Sequence, residues 1–285
     1  MSNIKAKRSL QQKVSLRLSA AMAVFTIGVF LILRSVITPA FEELELSAAH
    51  SDLVRAEQAI QTDIDNLMAI TLDWAPWDDM YEYVSGRNPG FQRSNLDRST
   101  LSNLGLDMLV IYELGGRLKW GQLQVDGEER PLQELGLLGG DSPFTSMLTS
   151  HDSTDSEVVG IVDTAFGPMI ISSQPILRND NSGPVAGALI MAQLLDEPRL
   201  ARLQERTEVD MTWLLVENYV VDGERELADI PVGVLPVRLS EEAVTNCVVL
   251  ADVLGNPYLL VSSRTPRVIT SLGQQTVNAA LMLSL

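Results

Sequence analysis

Two patterns of apolar and polar residues divide the chain. From Leu18 to Leu33 the sequence "LSAAMAVFTIGVFLIL" runs 16 residues without a charge, and "SVITPAF" continues it beyond Arg34. A helix needs about 20 apolar residues to cross a bilayer, fewer where an arginine at its end reaches the headgroups. A membrane helix over 18–40 is therefore expected. From Phe41 to about Leu72 there is no Gly or Pro, and Leu53, Ala56, Ile60, Ile64, Leu67 and Thr71 recur at steps of three and four. That spacing predicts a stalk helix over 41–72 with one buried stripe. The stripe suits packing on the stalk's own domain or pairing with a second copy.

The pattern then changes at "TLDWAPWDDMYEYV" (71–84). Pro76 disfavours helix at Ala75 but is well placed as the first residue of a new one. Asp78 and Asp79 then fall in its first turn, at the positive end of the helix dipole. Trp77, Tyr81 and Val84 share a face at steps of four and three, and Gly86 ends the helix. A third helical piece is expected at "SNLDRSTLSNL".

Beyond it come apolar runs bounded by turn residues. "LDMLVIYE" and "RLKWGQLQV" flank Gly115-Gly116 and read as a hairpin, as do "GPMIISSQPIL" and "VAGALIMAQLL" around "NDNSG". "EVVGIVDT", "VDMTWLLVE", "TNCVVLADV" and "PYLLVSSR" supply further strands, and "SPFTSMLTS" and "DEPRLARLQER" short helices. A long helix followed by antiparallel hairpins is an α+β fold, with the body of the domain over 73–265. The pattern leaves one sheet or two open. After Arg267 the chain turns apolar again, which reads as the start of a second membrane helix over 266–285 cut short by the end of the chain, or as an amphipathic helix packed on the body.

Charge gives the membrane segment a direction. Lys5, Lys7, Arg8, Lys13 and Arg17 precede it, whereas all 37 Asp and Glu come after position 41. Basic flanks stay in the cytoplasm, so residues 1–17 are expected there and the body on the other side of the membrane. A cleaved signal peptide ending at "ITPA" is the alternative. The acidic body should repel nucleic acid, and no nucleic-acid partner is expected.

Enzyme chemistry has little support. There is no nucleotide, zinc or serine-nucleophile motif. The single cysteine, Cys247, lies in an apolar run and suits a buried side chain. Of the two histidines, His50 sits in "SAAHSDL", and His151 opens the acidic loop "HDSTDSE", which lacks the spacing and glycine of a calcium site and reads as solvated. No metal and no cofactor is expected.

The basic start, the membrane helix, the long helix and "DWAPWDDMYEYV" together resemble the fourth CHASE family, extracellular sensory domains of bacterial receptors. Trp74, Trp77, Asp78 and Tyr81 match its W-x-x-W-D-x-x-Y pattern. Asn95-Leu96, Leu106-Asp107 and Gly115-Gly116 match the family pattern C-terminal to that motif. The resemblance covers 60–120 strongly and the rest by layout. It implies a PAS/Cache-like signal-input domain, with the long N-terminal helix against a mainly antiparallel sheet region, feeding a histidine kinase or a cyclic-dinucleotide enzyme not present in this chain. "LGGDSPF" (138–144) lacks the glutamate of a cyclase signature and reads as a loop starting a helix. Trp74, Pro76 and Trp77 are read as structural. Asp78, with Tyr81, Tyr83 and Asn95, is the candidate site for a small cationic or polyhydroxyl ligand, because aromatic faces and a carboxylate attract cations. The expected partners are the bilayer, an unidentified small molecule and a second copy of the chain. A carboxylate hydrolase using Asp78 and Asp79, or a scaffold for another protein, are the other readings.

Overall fold

A computed structural model describes residues 10–32, 35, 36, 38–97, 99–138, 142–218, 231–235, 237–273, 275 and 279. These fall into two compact units, one formed by the chain up to Asp52, Val237–Thr245 and the part from Arg264 onward, the other by Leu53–Pro236 and Asn246–Ser263.

The first helix, α1 (Leu10–Ile32), starts before the expected 18, because nothing in "LQQKVSLR" breaks a helix. Its stretch Gln12–Ile32, with a mean hydropathy of 1.9, is long and apolar enough to cross a membrane. Arg34 lies outside the described residues, as do Gly139, Gly140 and Asp141. Helix α2 (Thr38–Trp74) opens three residues before the expected 41, with Pro39 in its first turn, where a missing N–H costs nothing. At 37 residues it is about 55 Å long. In the first unit, buried Glu45 of α2 accepts hydrogen bonds from Arg267 Nε (2.9 Å) and from Thr270 N (3.2 Å) and Oγ1 (2.5 Å). Residues 268–273 are helical. Most of 274–285 lies outside the described residues, and with it the expected second membrane helix.

In the second unit the predicted stripe of α2 is buried: Leu53, Ala56, Ile60, Leu67 and Thr71 are at most 1% exposed. It packs on a six-stranded antiparallel sheet ordered β3-β2-β1-β6-β5-β4. The strands are β1 (Met108–Glu113), β2 (Leu118–Val125), β3 (Glu128–Arg130), β4 (Val158–Val162), β5 (Met169–Pro175) and β6 (Gly187–Leu194). Leu109, Ile111, Ile170, Leu189 and Met191 share a cluster with α2. The alternate residues Met108, Val110, Ile171 and Ile190 cluster instead with Leu135, Leu137 and Leu148, the last on α6 (Pro143–Thr149). With both faces covered, the central strands β1 and β6 are near-continuous apolar runs, with Glu113 and Gln193 near their ends.

The second sheet is ordered β7-β11-β10-β8, with β9 also paired to β10. Its strands are β7 (Met211–Leu215), β8 (Gly233–Val234), β9 (Arg238–Leu239), β10 (Ala243–Ala251) and β11 (Pro257–Pro266). Between the sheets in sequence lies α7 (Glu197–Thr207), whose N-cap Asp196 accepts a hydrogen bond from Arg199 N. Asp63 on α2 receives two arginines from α7: Arg199 Nη1 at 3.3 Å and Arg206 Nη2 at 2.9 Å.

Two expectations need correction. Pro76 is not the first residue of a helix: it forms a parallel bridge with Leu177, and α3 (Asp78–Val84) starts two residues later behind an extended Trp77. The helix expected at "SNLDRSTLSNL" is two helices, α4 (Phe91–Asn95) and α5 (Thr100–Leu104). Asp97 separates them, its Oδ1 accepting from Ser99 N (2.8 Å) and Oγ (2.7 Å), a local alternative to continued helix.

Candidate functional site

The joint between α2 and α3 is built on aromatic edges. Trp74 and Trp77 meet edge-on at 5.9 Å, Trp77 meets Phe91 at 5.1 Å, and Tyr83 stacks on Phe91 at 5.3 Å. These contacts fix the angle at which α3 and α4 leave the long helix. Leu177 N donates to Ala75 O (3.2 Å), so the turn after β5 is held against the same joint.

Asp78 is exposed and tied to that turn by a reciprocal pair: its N–H donates to Asn179 Oδ1 (2.9 Å), and its Oδ1 accepts from Asn179 N (3.1 Å). Tyr81 is buried beneath the Arg178 guanidinium, 4.5 Å above its ring. Tyr83 donates its hydroxyl to Gln92 Oε1 (3.3 Å), and Lys119 Nζ lies 5.3 Å from the ring centre. Burial pushes the Tyr83 phenol up, and the Glu113 charge adds to it. Asn95, half-buried, returns Nδ2 to Phe91 O (3.2 Å). The four candidates are therefore not gathered around one cavity.

Tyr81 alone among them lines a groove of about 430 Å³. Its walls are the end of α3 (Tyr81, Val84), the β1–β2 hairpin (Glu113, Arg117, Lys119) and the segment entering β6 (Pro184–Ala186). Glu113 accepts from Lys119 Nζ (2.9 Å) and Arg117 Nε (2.6 Å), and these two bonds hold its carboxyl below the usual carboxylate range. With one acid against two bases, the charged side chains of the groove sum to +1, in a chain whose net charge is −16. The hairpin residues were not among the candidates that the sequence suggests. Their signal was the Gly115-Gly116 turn, which sets Glu113 opposite Arg117 (Glu113 N donates to Arg117 O, 2.8 Å), and the strand's alternation then returns Lys119 to the same face.

A second cavity, about 560 Å³, lies between α2 and strands β4 and β10, with Glu57 and Asp252 as its charged residues. In a third, of about 480 Å³, the Tyr258 hydroxyl donates to Asp163 Oδ1 (2.7 Å); burial, and after it that bond, raises its pKa. Among the described residues no three His, Cys, Asp or Glu side chains converge so as to hold a metal ion. Asp79 accepts from Asn88 Nδ2 (3.3 Å), Cys247 is buried, and His50 is exposed on α2. His151 departs from the solvated loop expected there: its side chain is buried, although Asp152, Asp155 and Glu157 beside it are exposed.

The model of the CHASE4 domain matches residues 59–214. The methanogenesis regulatory histidine kinase FilI of Methanothrix harundinacea is 29% identical over 238 residues, 82% of this chain and 26% of that protein, so the chain spans about a quarter of that relative's length. Among solved structures, the extracellular domain of a protein assigned as a histidine kinase superposes with a TM-score of 0.50 at 13% identity, over 81% of this chain and 94% of that one. A domain of a sensory box/GGDEF family protein from Vibrio parahaemolyticus gives 0.52 at 12% identity, over 81% and 99%. At these identities the likeness is one of fold.

Proposed function

The chain belongs to the CHASE4 family of sensory domains, and on that premise we propose that it is the ligand-sensing input region of a transmembrane receptor, with α1 as its anchor and the body outside the cytoplasm. The output is a histidine kinase or a cyclic-dinucleotide enzyme in the remainder of such a receptor. A histidine kinase is favoured by the relative that matches 82% of this chain.

The observation that carries the ligand reading is the positive groove in a strongly acidic chain. Lys119 Nζ has three donors and Arg117 is largely exposed, so both retain bonding capacity beyond Glu113. The site suits a small anion carrying a carboxylate, with Tyr81 as its aromatic wall. This departs from the cationic ligand that Asp78 would attract, since Asp78 is engaged by Asn179. Asp78 serves the site indirectly, by holding the turn that carries Arg178 onto Tyr81. For output to change, the ligand must bind two arrangements of the α2 stalk unequally.

The hydrolase reading loses ground because Asp78 and Asp79 each accept a hydrogen bond from an asparagine, and neither lines any of the three cavities described. Joining the chain to the output half of a histidine kinase tests the receptor role. Autophosphorylation should respond to a pool of small carboxylates, and Lys119→Ala should blunt the response. A kinase activity indifferent to every compound would count against an input role.

A further inference from the structure

We propose that His151 and its two serine partners form a proton-binding site, distinct from the groove, through which the domain responds to external acidity. The His151 ring is buried between Ser156 Oγ, 2.9 Å from Nδ1, and Ser173 Oγ, 2.9 Å from Nε2. Both serine protons are engaged elsewhere: Ser173 Oγ donates to Leu148 O (2.7 Å), and Ser156 Oγ donates to Ser153 O (2.8 Å). Each ring nitrogen therefore faces an oxygen lone pair. Imidazolium, with two N–H donors, satisfies both; neutral imidazole, with one, leaves a nitrogen facing a lone pair.

The two sides are not equivalent. Ser173 is fully buried on β5, and its proton satisfies Leu148 O in the last turn of α6, a carbonyl beyond reach of the helix's own amides. Turning that proton toward the ring would strand the carbonyl at a cost of about 1–3 kcal/mol. Ser156 is half-buried, and Ser153 O keeps the amide of Ser156 (3.4 Å) when the hydroxyl leaves. The neutral ring is thus the Nε2–H tautomer, with Ser156 turned inward to Nδ1. Protonation adds a hydrogen at Nδ1 and turns the Ser156 hydroxyl back to Ser153 O. One proton taken up exchanges one bond in the 151–156 loop.

Among the described residues the charged group that acts on the ring is Asp152, with Asp155 and Glu157, which accepts from Gln174 Nε2 (3.5 Å), further along the same acidic stretch. Helix α6 and strands β4, β5 and β6 carry no charged residue. Burial lowers the affinity of the ring for its proton, and Asp152 offsets part of that. The site therefore fills only in an acidic medium, below the ordinary histidine value of about 6.5.

Nitrogen NMR on the full chain in detergent micelles, labelled at histidine, tests this. The chain has two histidines, so His50→Ala leaves a single ring to observe. Its nitrogens should show one N–H form at neutral pH and titrate below about 6.5, with the amides of residues 150–157 moving at the same midpoint. Ser156→Ala and Ser173→Ala should each push the midpoint lower, by about half a unit or more, because the bond each serine accepts from imidazolium is charge-assisted and stronger than the bond it makes to the neutral ring. A ring that keeps one state between about pH 4 and pH 8 would overturn the proposal. So would a midpoint unchanged in Ser156→Ala, a half-buried substitution that leaves the core intact.

Discussion

Asp63 is the carboxylate that ties Arg199 and Arg206 of α7 to the stalk helix, which makes Asp63→Ala the most informative substitution in the body. Its side chain is 10% exposed, that of Arg199 11% and that of Arg206 49%. Arg199 would keep Nε on Leu194 O (2.9 Å), and Arg206 would keep Nη2 on Ala59 O (3.0 Å), but the buried guanidinium of Arg199 would lose its ion pair and keep only the longer-range attraction of Asp107. Removing one partner of a buried pair costs about 3–5 kcal/mol, and the half-exposed position of Arg206 puts the expected loss at the lower end, about 3 kcal/mol. For a unit of this size that is about 6–12 °C in Tm. Asp63→Asn keeps an acceptor for one arginine and should lose about half as much. Arg206→Ala should cost under about 1 kcal/mol, as exposed pairs do. Trp74, Trp77, Trp120 and Trp213 all lie in the same unit as Asp63, so tryptophan fluorescence during urea unfolding of the full chain reads it directly. An Asp63→Ala loss below about 1 kcal/mol would show the cluster to be no stronger than a surface pair, and the reasoning would fail.

Other outcomes rest on single contacts. Leu135→Ala, at a fully buried position on the α6 side of the first sheet, should cost about 2–5 kcal/mol in the same unfolding assay. Gly187→Ala would drive its Cβ into the Tyr112 carbonyl across the β1–β6 pair, so the variant should be recovered insoluble or unfolded by circular dichroism. For Glu45, burial alone would raise the pKa, but its bonds to Thr270 and Arg267 outweigh it and hold the carboxyl low. A carboxylate with a depressed folded-state pKa adds stability above its unfolded value and loses it as pH falls through the folded one. A melting series should therefore find wild type and Glu45→Gln converging only below about pH 4, with wild type the more stable at neutral pH.

The sequence revealed whatever periodicity alone decides. The stripe from Leu53 to Thr71 is the buried face of α2, and the hairpins around Gly115-Gly116 and "NDNSG" are present, because each of these signals is local. What a side chain far along the chain contributes was not legible. Asp63 reads as a polar position off the stripe until Arg199, 136 residues later, is placed against it. The strands β7, β10 and β11 were predicted, but one sheet or two stayed open, because pattern does not say which strands pair; β8 and β9, two residues each, are too short to show an alternation. Among the candidate residues, Tyr81 faces a cavity and Asp78 turns to Asn179, 101 positions away, for the same reason: first-turn geometry gives the direction of a carboxylate but not its partner. The burial of His151 was hidden by the acidic residues beside it, which are exposed as their composition suggests.

The central claim, a small anion held in the groove beside Tyr81, is tested most directly by calorimetric titration of the full chain in lipid nanodiscs with a panel of small carboxylates. The account predicts at least one compound that binds saturably to the wild type, with affinity reduced about tenfold or more in Lys119→Ala, the loss of about 1.4 kcal/mol or more that a charged hydrogen bond supplies. Asp78→Ala should weaken the same compound less. A ligand bound equally by wild type and Lys119→Ala, or a panel in which only amines and other cations bind, would contradict it.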